Sequence, residues 1–134
     1  MTKTAPTRTP TTMARPDRRA SERRGRFAET VAALYLNLKG YRTVARRFRS
    51  PLGEIDLVMR RGDLLVFVEV KARRELDTAI LAITPAARDR LIRAAQSFIG
   101  RHPETAGLAL RFDIVAILPR RLPHHIFDAF ARDR

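Results

Sequence analysis

The chain has 134 residues, 45% of them hydrophobic and none of them cysteine, which suits one domain with a modest core and excludes disulfides and thiolate metal sites. No apolar run approaches the roughly 20 residues that cross a bilayer, and the N-terminus lacks the apolar stretch of a secretory signal, so a cytoplasmic protein with no membrane partner is expected. Lys and Arg number 27 against 14 Asp and Glu, a formal charge of +13; +7 of it lies in residues 27–134, so the folded part is itself basic and suits a polyanion held by salt-sensitive phosphate contacts.

Residues 1–20, MTKTAPTRTPTTMARPDRRA, are rich in Thr, Pro and Arg and poor in large apolar side chains, and read as a disordered basic arm. Met13 is an alternative start. Residues 21–134 form a single domain. From Ser21 to Lys39 the pattern is helical: Phe27, Val31, Leu34 and Leu38 recur at spacings of four, three and four, and Gly40 stands where a C′ glycine belongs. Tyr41–Phe48, Gly53–Met59 and Leu64–Lys71 read as three strands of a meander, the last two joined through RRGD. Thr84 and Pro85 open a second helix with Leu91, Ala94, Ala95, Phe98 and Ile99 on its apolar face; it ends between Gly100 and Pro103. LALRFDIVAIL, residues 108–118, is a strand apolar on both faces and stopped by Pro119. HIFDAFA in the tail adds a short edge strand or a helix. The order helix, three strands, helix, strand is α+β, and the second helix is a crossover that brings the fourth strand parallel to the third.

Charges interrupt two of these strands. Alternation puts Glu69 and Lys71 on one face of the third strand, and Glu54, Asp56 and Val58 on one face of the second with Ile55 and Leu57 opposite. A two-residue Gly62–Asp63 loop sets Asp56 across from Glu69, with Cβ atoms about 5 Å apart; a four-residue loop, Arg60–Asp63, sets Glu54 there instead. Paired carboxylates repel unless a cation or a shared proton lies between them. Mg²⁺ (or Mn²⁺) on carboxylate oxygens, completed by water and substrate phosphate, meets that need, and Lys71 beside it would orient water or stabilise charge on a scissile phosphate. The alternative is a simple Lys71 salt bridge at a solvated strand end. Arg46, Arg47 and Arg49 precede the acidic strand and Arg73 and Arg74 follow the third, a bracket suited to phosphates on both sides of a scissile bond or, alternatively, a solvated face. His124 and His125 are adjacent and so point apart, a poor arrangement for joint metal ligation.

GEIDLV (residues 53–58) followed by VFVEVKARR (66–74) resembles the signature of the YraN family of bacterial proteins, which in turn resembles the restriction-endonuclease-like PD-(D/E)xK nucleases and the archaeal Holliday-junction resolvases. GRFAETVAALYLNLKGY from Gly25, RLIRAAQSFI in the second helix and RFDIVAI from Arg111 agree, so the resemblance spans about Gly25 to Leu118. It implies a restriction-endonuclease-like αβββαβ core, a mixed central sheet flanked by helices, and a metal-dependent endonuclease that hydrolyses phosphodiesters in DNA, including branched or junction structures. Carried over by position, Asp56 is the acid of the first half-motif and Glu69 and Lys71 are the ExK pair; Asp56 and Glu69 would be metal ligands with Lys71 catalytic beside them. Glu29 matches a helical glutamate near the metal, with an exposed helical acid as the alternative. Glu54 would support the metal shell, Gly53 would allow the turn and a close backbone approach, and Asp113 would either pair with Arg111 or touch the site. EID replaces the literal PD, Arg47 stands where the family often has Asn, and Ala87 where it often has Lys. A homodimer is implied by the resolvases. The rival from another class is a nucleic-acid-binding module that keeps the nuclease fold without cutting, and DNA is not separated from RNA.

Overall fold

The computed structural model describes residues 18–129. Helix α1 (Arg18–Leu38) leads into strands β1 (Arg42–Ser50), β2 (Gly53–Arg61) and β3 (Leu64–Ala72); helices α2 (Leu76–Leu81) and α3 (Pro85–Arg101), a 3-10 turn (Pro103–Thr105) and strands β4 (Ala109–Ile117) and β5 (His124–Ile126) follow. The strands form one sheet in the order β1-β2-β3-β4-β5. All neighbours are antiparallel except β3 and β4, which run parallel from Leu64 opposite Ala109 to Ala72 opposite Ile117. The crossover that parallel pairing requires is α2 and α3, and the expected α+β arrangement, a mixed sheet with helices packed on it, is the one observed.

The stripe that marks α1 as a helix is not the face it buries. Phe27, Leu34 and Leu38 are 68%, 59% and 87% exposed, while Ala28, Ala32, Ala33 and Leu36 meet the sheet. Small side chains bring the helix axis close, so that Ala32, Ala33 and Leu36 share a cluster with Leu57, Met59, Val66, Val68 and Val115. After Leu38 the chain closes through Gly40, at φ 96°, whose N–H donates to Asn37 O while that of Tyr41 donates to Leu36 O.

On the opposite face α3 behaves as its sequence implies. Thr84 Oγ1 accepts the Ala87 N–H at 3.1 Å, Pro85 occupies the first turn, and Leu91, Ala94, Ala95 and Phe98 are buried. They pack on Ile55, Val58, Leu65 and Phe67, with Phe98 edge-on to Phe67 and Phe48. The sheet is therefore covered on both faces.

Two local features differ from expectation, and a third decides between the two alternatives left for the tail. Helix α1 begins at Arg18, inside the arm expected over residues 1–20; the rest of that arm, residues 1–17, lies outside the described residues. Helix α2 has no counterpart in the sequence reading, being six residues with only Ala79 buried. In the tail, HHI forms the edge strand β5, antiparallel to β4. Among the described residues no helix is long and apolar enough to cross a membrane.

Candidate active site

The β2–β3 hairpin closes through the two-residue loop, with Arg61 opposite Leu64, and its ladder runs to Leu57 opposite Val68. Gly62, at φ 62°, supplies the left-handed residue that such a turn needs. One step further the count would put Asp56 opposite Glu69, but the backbone ladder stops there and the Val70 N–H donates to Asp56 Oδ2 at 2.8 Å. The strands part around a carboxylate that takes over as acceptor.

Side-chain alternation also breaks here, which corrects the expectation that Ile55 and Leu57 share a face. Leu57 packs in the α1 cluster and Ile55 in the α3 cluster. At the same level of β1, Arg47 sits at φ 56° between Arg46, opposite Leu57, and Phe48, opposite Ile55. A left-handed non-glycine residue costs about 1–2 kcal/mol. The kink and the parting strands together turn Ile55 under α3 and leave Asp56 in the notch between the two layers.

The notch collects charge. Lys71 Nζ lies 3.0 Å from Glu69 Oε2, both side chains being about one-fifth exposed. Burial pushes the Asp56 carboxyl up to about 7, helped by the neighbouring negative charges of Glu69 and Glu29 and opposed by the Val70 N–H and Lys71. Glu29 reaches in from α1 and is buried, so it is not an exposed helical acid. Its Oε1 lies 3.4 Å from Arg47 Nε yet has no hydrogen-bond partner, and burial raises its pKa against the pull of Arg47 and Arg46.

Two clefts share this notch. One, of about 490 Å³, lies on the α1 side and is lined by Arg24, Gly25, Ala28, Glu29 and Arg73; the other, of about 430 Å³, lies on the α3 side and is lined by Gly53, Glu54, Ala87 and Arg90. Asp56, Glu69 and Lys71 line both. Gly53 has the close approach expected of it: at φ 156°, a Cβ there would lie 2.7 Å from the Arg90 carbonyl oxygen of α3. Glu54 shares the second cleft but its side chain is 66% exposed, with its Oε2 4.0 Å from Arg49 Nε.

The arginine bracket is partly committed to the protein. Arg47 faces Glu29, Arg46 donates to Thr30 Oγ1 at 2.8 Å, and Arg73 donates to the Ala72 carbonyl while lining the first cleft. Arg74 is exposed and lines neither cleft. Arg24, Gly25 and Arg90 are wall residues that the sequence reading missed. Gly25 lies one helical turn before Glu29, so helix geometry alone points it toward the same cleft; for Arg90 no such signal exists, because α3 packs on β2 from a distant part of the sequence.

Asp113 belongs elsewhere. It is 1% exposed, and Arg111 grips both its oxygens at 2.8 and 2.7 Å, with His125 Nε2 at 2.7 Å and the Asp128 N–H at 2.8 Å. Burial alone pushes its carboxyl up, but hydrogen bonds from His125, Arg111 and Asp128 outweigh that and hold it below the ordinary carboxylate value. His125 Nδ1 is 2.7 Å from Lys39 Nζ. An ammonium has no lone pair to offer, so in this contact Nδ1 is the acceptor and Nε2 faces Asp113 as the donor. Both ring nitrogens are thus spent in this network.

Among the described residues no three His, Asp or Glu side chains stand close enough to form a ready-made cage. Mg²⁺ does not require one, since it commonly takes one or two carboxylates and keeps several waters. The donor set suits it: hard oxygens, Asp56 beside Glu69, and an orphaned buried oxygen on Glu29.

Comparison with known proteins agrees in one direction. The family model described as "Uncharacterised protein family UPF0102" matches residues 28–117. A UPF0102 protein of Rhodopseudomonas palustris (strain BisB18) is 57% identical over 117 residues, covering 87% of each chain. One from Parvibaculum lavamentivorans is 57% identical over 111 residues, 83% of this chain and 84% of the relative, and one from Bradyrhizobium diazoefficiens is 52% identical over 118, 88% and 89%.

Proposed function

The chain belongs to the YraN-like family UPF0102, and on that premise we propose that it is a Mg²⁺- or Mn²⁺-dependent endonuclease that hydrolyses phosphodiester bonds in DNA in the cytoplasm. The observation that carries the reading is Asp56: a carboxylate wedged between parting strands, raised to about 7 beside Glu69 and Glu29, and open to two clefts. A buried cluster of like charges at a cleft wall is what a divalent cation relieves.

Asp56 and Glu69 would hold the metal, with Glu29 supporting it from α1. When bound, the metal would act as a Lewis acid and lower the pKa of a water. Lys71 would orient the attacking water, whose oxygen bonds to phosphorus as the bond to the sugar oxygen breaks; the water gives up a proton to solvent, and the leaving oxygen takes one from solvent. Besides the acids, the cleft walls carry arginines, Lys71, Ser50 and small or apolar side chains, with neither Asn nor Gln among the residues that line them, a set better suited to phosphate contacts than to reading adenine. This supports recognition of backbone shape, as in branched DNA. A homodimer would place two such sites on two strands.

One observation favours a second reading, a binding module in which the cluster is structural: Lys71 already neutralises Glu69 at 3.0 Å. Titrating Mg²⁺ or Mn²⁺ into protein with a four-way junction, a flap and a plain duplex separates the two. Metal-dependent products that vanish in folded Asp56→Ala and Lys71→Ala variants support the nuclease. Salt-sensitive binding without products at any metal concentration supports the module.

A further inference from the structure

At the hairpin end of the sheet, away from the notch, lies a pocket of about 410 Å³ lined by Gly40, Arg42, Arg60, Arg61 and Gly62, with no carboxylate among them. Arg42, the first residue of β1, is directly opposite Arg60 in the β1–β2 ladder. Like charges in opposed positions destabilise a sheet, and an anion bound between them would relieve that repulsion. The protein steadies two of the guanidiniums without neutralising them: Arg60 Nε donates to the Gly62 carbonyl at 2.8 Å, and the Arg61 guanidinium lies 4.4 Å from the Tyr41 ring centroid. Each of these uses only part of a five-donor group. Gly40 and Gly62, both at positive φ, wall the pocket without side chains.

From this cluster the exposed edge of β1 carries Arg42, Arg46 and Arg49 toward the notch, and the strand RTVARRFRS holds no acid. Along β2, Asp56 and Arg60 are four residues apart, about 13 Å at strand rise, equivalent to roughly four base-pair steps of 3.4 Å.

We propose that the Arg42–Arg60–Arg61 pocket is a second anion site, which takes the phosphodiester backbone of a nucleic acid several nucleotides from the bond held at Asp56 and Glu69. It rests on the reading of this protein as nucleic-acid-binding, but not on its cutting. The arginines act as charge and fork donors to phosphate and so fix the register of the duplex along β1 without reading its sequence.

The test is binding of a fluorescent duplex in EDTA at several salt concentrations, for wild type, Arg42→Gln/Arg60→Gln and Arg42→Lys/Arg60→Lys, each checked for folding by thermal melting. Two lost phosphate contacts lower the log–log salt slope by about 1.8. The Gln pair is expected to show this drop and weaker binding, the Lys pair to restore the slope, and melting of the Gln pair to be no lower than wild type. Because no metal is present, this result stands whether or not cleavage is ever seen. An unchanged slope in a folded Gln pair overturns the proposal while leaving the nuclease reading intact. Saturable binding of inorganic phosphate or pyrophosphate by calorimetry, lost in the Gln pair with an unchanged DNA slope, also overturns it and makes the pocket a small-anion site.

Discussion

The Val70 N–H donates to Asp56 Oδ2 at 2.8 Å just beyond the last ladder pair of β2 and β3, Leu57 and Val68. A side-chain carboxylate thus does the work of a strand carbonyl, and it is held in place by a bond that survives conversion to the amide.

Asp56→Asn should therefore stabilise the metal-free protein at high pH. The folded carboxyl is raised to about 7 from 3.8, so below about pH 4 both folded and unfolded forms carry the proton and the neutral group costs nothing. As pH rises from 4 through 7 the unfolded chain ionises first and wild-type stability falls, by at most on the order of 4 kcal/mol at pH 8. Melting in EDTA should show the variant several degrees higher at pH 8, with the gap closing toward pH 4. A gap independent of pH would contradict the placement of this charge.

Metal binding should have the opposite pH dependence. If Mn²⁺ or Mg²⁺ takes the place of that proton, its stabilisation is greatest above pH 7 and fades as pH falls toward 5. At a metal concentration 100-fold above Kd the stabilisation is about 2.7 kcal/mol. Calorimetry in two buffers of different ionisation heat should register proton release near pH 6.5, and Asp56→Asn should abolish both signals. A melting shift retained in that variant would move the metal away from the notch.

Glu29 offers a separate handle because its buried Oε1 has no hydrogen-bond partner. Glu29→Gln removes the charge while keeping the shape, and the relief of desolvation offsets the lost attraction to Arg47. Stability should change by less than about 1 kcal/mol, while metal-dependent cleavage falls tenfold or more. Unimpaired cleavage would leave Glu29 only its contact with Arg47.

Much of this was legible in the chain, for identifiable reasons. Strands β2 and β3 are joined by Gly62–Asp63, the shorter of the two loops the sequence allows, so a local count brings Asp56 to the level of Glu69; it could not show that the ladder stops at Leu57 and Val68 and that Asp56 takes the Val70 N–H instead. The capping Thr84 and the apolar face of α3 obey helix rules that depend on near neighbours. Orientation of α1 was not legible: Phe27, Leu34 and Leu38 give the stronger periodic signal, and only the sheet selects the alanine face instead. The break between Ile55 and Leu57 was equally hidden, because its companion kink lies at Arg47, where no glycine announces a positive φ.

Asp113→Ala should be costly in a different way. Asp113 neutralises Arg111 and binds His125, itself held by Lys39. Removing one member of a buried charged network costs about 3–5 kcal/mol. The melting temperature should drop by 10 °C or more, while the cleavage rate per folded molecule, measured well below that temperature, stays unchanged. A loss of rate without a loss of stability would tie this network to the notch.

The two margins of the sheet also decide how copies of the chain can meet. Strand β5 is three residues long, and β1, though nine, is dislocated between Thr43 and Ala45, bent at Arg47 and studded with arginines. Short, bulged or charged margins refuse another strand, which protects the protein from fibril-like stacking. The same devices disfavour a pair of molecules built by continuing one sheet into the next, so a twofold assembly is expected to use helices and loops.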